Sequence, residues 1–250
     1  MNLTIDIGNT RIKAGVFNGT KLIANCTVAP ASLKELEAFI KKHAAKAAIV
    51  SSTTEYPKGL KTFLKGRFKL VELSEKTRLP FKNNYKTPKT LGKDRLAAVA
   101  GALHLLPKKD VLVIDAGTCV TYDFMDKKGV YHGGGISPGL NMRFYALYTF
   151  TGRLPLIQPD NTFTELTGKT TEESILTGVQ QGMIEEIDGF INAYKKRHPT
   201  LQVILSGGSS QWLKQRLKNK IISEPFLTLQ GLNVLLAFHF KGTQPKHIKR

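Results

Sequence analysis

The chain has 250 residues, 41% hydrophobic and 22% charged, with 37 Lys+Arg against 19 Asp+Glu for a formal net charge of +18. This composition excludes a disordered or collagen-like chain and allows one large domain or two smaller ones, each with its own core. The two cysteines, Cys26 and Cys119, form no CxxC pair, which excludes a disulfide scaffold and a zinc ribbon and favours a reducing, cytoplasmic setting. No secretory leader is expected, because Asp6 interrupts the first apolar stretch. The longest apolar run, Leu96 to Leu106, is far short of the roughly 20 residues that span a bilayer, so no membrane partner is expected.

In chain order, Met1 to Ile5 and Arg11 to Phe17 predict strands, and Asn18-Gly19 a hairpin turn into a third. Leu33, Leu36, Phe39 and Ile40 stand at helical spacing, which predicts a helix over Ser32 to His43 with Ser32 as N-cap. Ala47 to Val50 and Phe68 to Leu73 predict buried strands. Twelve Lys/Arg residues then fall between Lys58 and Arg95, interleaved with Phe63, Phe68, Phe81 and Tyr85. Such a stripe is either a solvated or substrate-steering face or a groove with aromatic platforms for single-stranded nucleic acid. We rank the solvated face first. Lys93 to Leu106, apolar nearly all round, predicts a buried helix.

Pro107-Lys108-Lys109-Asp110 breaks the pattern and predicts a division into halves 1–107 and 108–250. Beyond it come strands over Val111 to Ile114 and Val120 to Met125, with Asp126 to Gly129 turning into another. Thr171 to Arg197 predicts one long helix, and Leu201 to Leu205 a strand running into Ser206-Gly207-Gly208. Helices follow near Gln211 to Leu217 and Gly231 to Phe240, then a basic, frayed tail over Lys241 to Arg250.

An internal echo orders these elements. Ile5-Asp6-Ile7-Gly8-Asn9-Thr10 is matched by Ile114-Asp115-Ala116-Gly117-Thr118-Cys119 in the second half, each between two β-rich runs. Strands first, then alternating helix and strand in both halves, predict an α/β fold with a mixed sheet per half. Glycine two residues after a strand-end Asp lets the backbone turn sharply and brings N–H groups close to a phosphate, while the Asp can hold a hydrated cation against it. One such loop is ordinary turn chemistry. Two in equivalent places, with a later Gly-Gly loop, predict a polyphosphate cradle with room for a nucleoside.

Asp6-Ile7-Gly8-Asn9-Thr10 with Lys13, Asp115-Ala116-Gly117-Thr118 and Gly207-Gly208 resemble the phosphate-1, phosphate-2 and adenosine motifs of the actin/hexokinase/Hsp70 superfamily. Within it, Gly92-Lys93-Asp94-Arg95, Gly133 to Gly139, Leu154-Pro155 and Gly168 to Thr171 with Ser174 to Gly178 are similar to the type III pantothenate kinases, over nearly the whole chain. The resemblance implies duplicated RNase H-like domains and phosphorylation of pantothenate by ATP, the first step towards coenzyme A. It implies ATP binding by Asp6, Ile7, Gly8, Asn9, Thr10, Arg11, Ile12, Lys13 and Thr118, with Mg²⁺. It implies Asp94 as the base, and pantothenate contacts from Tyr85, Gly92, Lys93, Asp94, Arg95 and Thr170. It further implies K⁺ or NH₄⁺ at Asp115, and a homodimer with pantothenate near the subunit contact. Read without the resemblance, Asp94 is a helix-start acid and Arg95 a fork suited to a carboxylate or a surface acid. The rivals are a regulatory or nucleic-acid-binding protein on the same fold, and a kinase for another small hydroxyl substrate.

Other patterns fail on inspection. Gly168-Lys169-Thr170 ends like a Walker A loop, but Phe163 occupies the position of its first glycine. The six histidines show no HExxH and no pair at zinc-ligand spacing. Cys119 and Ser209-Ser210 depart from the family pattern, the serines standing where relatives often carry an acid.

Overall fold

The computed structural model describes residues 1–241, so the tail expected beyond Lys241 lies outside the described residues. The chain divides into two compact units. One comprises residues 1–107, a short insert over Gly129–His132 and the described residues from Phe226 onward; the other comprises Lys108–Lys128 and Gly133–Pro225. The break after Pro107 falls where the sequence pattern breaks. The last helix, however, groups with the first unit rather than with the half that precedes it in sequence.

The first unit is built on a five-stranded mixed sheet. β1 (Asn2–Ile7), β2 (Ile12–Asn18) and β3 (Lys21–Val28) form an antiparallel meander, and β4 (Ala47–Ser52) and β5 (Lys69–Glu72) add in parallel, in the order β3-β2-β1-β4-β5. β1 is central and buried on both faces, whereas edge strand β3 alternates exposed and half-buried residues. α1 (Leu33–Lys41) turns Leu36 and Ile40 into the core with Ile5, Ile7, Ile12 and Val50. Ser32 precedes it without a side-chain cap bond. A short helix unforeseen in the sequence, α2 (Leu60–Lys65), buries Leu60 and Leu64.

The helix expected from Lys93 is present as α3 (Lys93–Leu105), and every residue from Arg95 to Ala102 is buried. Its partner is α8 (Leu227–Lys241). Gly231 lies against the Ala97 carbonyl and Gly101 against Leu227, so the two backbones approach to a separation that a Cβ on either side would prevent. Buried Asn233 on α8 accepts from Asn2 Nδ2 (2.9 Å) and donates to the Gly19 carbonyl (2.8 Å), which satisfies its amide and ties the helix to β1 and the β2–β3 turn.

The second unit repeats the plan. β7 (Val111–Ala116), β8 (Cys119–Met125) and β9 (Val130–Pro138) run in sequence, with β10 (Gln202–Ser206) and β11 (Ile222–Ser223) parallel to β7, in the order β9-β8-β7-β10-β11. The two-residue strand β6 (Lys82–Asn83) pairs in parallel with Val130 and Tyr131, at the start of β9 and within the first unit's insert. Ile114, Val120, Tyr122, Ile187 and Leu205 anchor the second core.

The long helix expected over Thr171 to Arg197 is broken into α5 (Thr171–Leu176), a π turn (Thr177–Gln181) and α6 (Gly182–Arg197). The wider turn lets buried Gln180 bond both the N–H and the carbonyl of Asp160, each at 2.9 Å, while Thr177 and Gln181 reach the carbonyls of Glu165 and Thr164. α4 (Leu140–Phe150) was also not legible, because only Leu140 and Phe144 of this apolar segment are buried. α7 (Ser210–Lys214) is shorter than expected. None of the helices among the described residues is long and apolar enough to cross a membrane.

Candidate active site

In the first unit, β1 and β2 carry the first echo loop. Asp6 is the penultimate residue of β1, opposite Lys13 on β2 and Ser51 on β4. The Gly8 N–H donates to the Arg11 carbonyl (3.0 Å), which closes the turn and leaves Asn9, Thr10 and Arg11 exposed while Ile7 and Ile12 are buried.

Asp94 sits in the first turn of α3, where unpaired backbone N–H groups favour a carboxylate; its Oδ1 accepts from the Arg95 N–H at 2.9 Å. Gly92 leaves room for it, since a Cβ there would lie 2.5 Å from Asp94 Oδ1. Half-buried Lys93 stands between them. Arg95 is 5% exposed, and its guanidinium lies 5.7 Å over the Tyr85 ring. Tyr85 in turn stacks on Tyr131 at 6.3 Å and 13°, with its N–H held by Asn83 Oδ1 (2.9 Å). Asp94, Arg95 and Tyr85 thus lie within one short stretch of chain, and Tyr131 supports the Tyr85 ring from a segment distant in sequence.

The rest of the basic stripe has another character. Phe81 is buried, Phe63 and Phe68 pack against the core of the first sheet, and Lys41 and Arg67 lie over the Phe63 ring. Lys61 and Lys65 pair with Glu72 at 2.8 and 3.8 Å. These rings are packed rather than presented for base stacking. Burial, then the charge and hydrogen bond of Glu72, push the Tyr56 hydroxyl up to about 12.

In the second unit, Asp115 is the penultimate residue of β7, opposite Ser206 on parallel β10 and Thr121 on β8. Asp6 and Asp115 therefore occupy the same place in two sheets of the same order, each facing a serine on the parallel neighbour. They differ on the antiparallel side, Lys13 against Thr121. The second loop is also tighter, closed by Gly117 N–H to the Cys119 carbonyl at 2.9 Å. Gly207, at φ +92, lies against the Ala116 backbone, and the Ser209 N–H donates to the Ala116 carbonyl (3.0 Å). The Gly-Gly loop and the Asp115 loop are therefore neighbours. Thr170 is a helix cap: its Oγ1 accepts from Glu173 N (3.1 Å), and Glu173 Oε2 accepts from Lys169 N (2.6 Å).

A polar network missed by sequence reading lies behind the second loop. Glu186 on α6 accepts from Tyr122 Oη (2.8 Å), Ser137 Oγ (3.1 Å) and Arg143 (2.6 Å). Burial pushes the Glu186 carboxyl up, but the Arg143, Tyr122 and Ser137 hydrogen bonds outweigh it and hold the group below its ordinary range. Burial first, then Glu186, push the Tyr122 hydroxyl far up, so it stays a donor at neutral pH. Glu186 stands 64, 49 and 43 positions from Tyr122, Ser137 and Arg143, and no local motif announces the network.

Paired sheets of one strand order, each ending a central strand in Asp-x-Gly, define an α/β fold of the actin/hexokinase type. Similar solved structures share it: a candidate Baf family transcriptional activator from Campylobacter jejuni has TM-score 0.62 at 20% identity, covering 96% of this chain and 99% of that one. A candidate 2-dehydro-3-deoxygalactonokinase from Sinorhizobium meliloti has TM-score 0.55 at 13% identity, covering 98% and 100%. At such identities the likeness concerns the fold alone. A type III pantothenate kinase of Bacteroides fragilis (strain YCH46) is 44% identical over 240 residues, 96% of this chain and 98% of its own. The family model described as type III pantothenate kinase matches residues 2–193, and the chain belongs to that family.

Proposed function

We propose that this chain transfers the γ-phosphoryl group of ATP to the primary hydroxyl of pantothenate, giving 4'-phosphopantothenate and ADP at the entry to coenzyme A biosynthesis. The observation that carries the reading is the grouping of Asp94, Arg95 and Tyr85: a carboxylate at a helix start beside a buried guanidinium laid on an aromatic ring. Asp94 accepts the hydroxyl proton as the hydroxyl oxygen bonds to the γ-phosphorus and the bridging β–γ oxygen leaves with ADP. Arg95 meets the pantothenate carboxylate, with Tyr85, Gly92, Lys93 and Thr170 contributing to the same substrate. The loop from Asp6 to Lys13, and Thr118, bind the ATP phosphates, and catalysis is mostly positioning and charge stabilisation.

The donor set around Asp115 fits a hard cation: a half-buried carboxylate with Thr121 and Ser206 as register neighbours, and neither imidazole nor an opposing thiolate among these partners. No group of three or more His, Cys, Asp or Glu side chains suited to a metal occurs among the described residues, which fits Mg²⁺ carried chiefly by the phosphates. Lys13 faces Asp6, but neutral Thr121 faces Asp115. Asp115 is accordingly the ligand for K⁺ or NH₄⁺, which when bound supplies positive charge to the phosphate chain.

The protein acts in the cytoplasm as a homodimer. Met142, Tyr145, Tyr148 and Phe150 leave α4 with an exposed apolar surface that a second copy would cover. Mass spectrometry after incubation with ATP and a metabolite panel tests the reaction. Phosphopantothenate formed with equal ADP is expected; ADP without it, or a different phosphorylated acceptor, overturns the reading.

A further inference from the structure

We infer that Glu186, acting through Arg143, is a positioning residue that holds the Pro138-Gly139 corner against the Gly117-Thr118 loop and thereby sets nucleotide affinity. The inference rests on the reading that Thr118 binds ATP. The chain of contacts is short and lies within the second unit. The Gly139 N–H donates to the Thr118 carbonyl at 3.1 Å, and a Cβ on Gly139 would collide with the carbonyls of both Gly117 and Thr118. The loop and the corner therefore move together. Arg143, in the first turn of α4, grips the corner from behind: Nε donates to the Pro138 carbonyl (2.9 Å), and an outer nitrogen donates to Ser137 Oγ (2.8 Å) and Glu186 Oε2 (2.6 Å).

Glu186 gathers bonds from three elements, through Tyr122 on β8, Ser137 on β9 and Arg143 on α4. Its own helix is fixed one turn later, where Phe190 stacks on the Tyr122 ring at 4.1 Å and 18°. α4 itself is seated on the core by Leu140 and Phe144, with partly buried Leu147 packed beside them. Loss of the tether thus frees the corner without emptying the core. The Arg143 and Glu186 side chains are only 18% and 25% exposed, and their charge-assisted bond at 2.6 Å fixes the direction of the Arg143 fork.

The test compares Arg143→Met, Glu186→Gln and the double variant by calorimetric titration with ADP without pantothenate, alongside KM for ATP and pantothenate and melting temperature. Each single variant is expected to weaken ADP binding and raise KM for ATP on the order of 10-fold, a size typical of small displacements in a binding loop. KM for pantothenate should stay within about twofold, and the double variant should match the worse single one because both break one chain. Arg143→Lys, which keeps the charge but not the Nε bond, should recover part of the affinity. ADP affinity within about twofold of wild type in both single variants overturns the inference, as does a rise in both KM values in step with falling melting temperature. Should Glu186→Gln fail to fold, Arg143→Met breaks the same chain at its other end, and unchanged ADP affinity there is equally decisive against it. Wild-type protein that binds ADP but makes no phosphopantothenate refutes the proposed reaction, while the titrations still decide the role of Glu186.

Discussion

The Arg95 guanidinium, in the first turn of α3, rests 5.7 Å above the ring of Tyr85 in the loop that precedes the helix. A planar cation stacked on a ring presents its N–H edge in a fixed plane, which a lysine ammonium cannot reproduce. Arg95→Lys is therefore expected to raise KM for pantothenate about 10-fold while leaving KM for ATP within about twofold. Tyr85→Leu should do the same with Arg95 intact. Steady-state kinetics with each substrate varied in turn checks both, and an equal rise in the two KM values would contradict the assignment.

Asp94→Asn keeps the side-chain shape and the bond to the Arg95 N–H but removes the proton acceptor. We expect kcat to drop by about 10²–10⁴-fold with ATP affinity retained. Near wild-type turnover would reduce Asp94 to a helix-start residue.

Activity in Mg²⁺ and ATP should be low with tetramethylammonium as the only monovalent cation and rise strongly on addition of K⁺. In Asp115→Ala the K⁺ response should disappear. Full wild-type activity without K⁺ or NH₄⁺ would remove the reason for placing an ion there.

Glu186 predicts an acid-sensitive tether. Its carboxyl is held below the ordinary value of 4.5, so its contribution to stability is present above that value and is lost as pH falls through 4.5 and past the folded value. Between about pH 5 and pH 3 the melting temperature of the wild type should therefore fall more steeply than that of Glu186→Gln. Parallel curves in scanning fluorimetry would show that the carboxylate is not coupled to folding.

The buried and cation-covered rings of the basic stripe predict weak retention of mixed-sequence DNA, collapsing between about 50 and 200 mM salt because only phosphate contacts contribute. Sequence-selective binding that survives about 200 mM salt would revive the nucleic-acid reading.

What could be read in advance was whatever is local. Asp6 and Asp115 stood out because a strand, a bend and a second strand lie consecutively in the chain, and α1 because Leu36 and Ile40 mark one face. α4 escaped because Tyr145, Tyr148 and Phe150 stay exposed, so its apolar residues follow no single-sided period. The π turn escaped because its residues read as continuous helix, and its purpose lies in Asp160, about 20 residues upstream. The Arg143–Glu186 bond escaped for the same reason at a separation of 43. Apolar residues at helical spacing specify a face but not its partner, which is why α8 could not be assigned to the first sheet.

That last placement fixes an order of assembly. α3, the helix that begins with Asp94, packs along α8, yet more than a hundred residues separate the two in the chain. On a ribosome, β1 to β5 and α3 emerge early and must wait with one apolar side uncovered while the entire second unit is synthesised. The unit carrying Asp94 is therefore completed last, after its neighbour has had time to fold. A chain stopped at Pro225 would retain every strand of the first sheet and lose the wall that fixes the start of α3. The loss should show first as chaperone capture and proteolysis of the N-terminal segment, and only afterwards as missing activity.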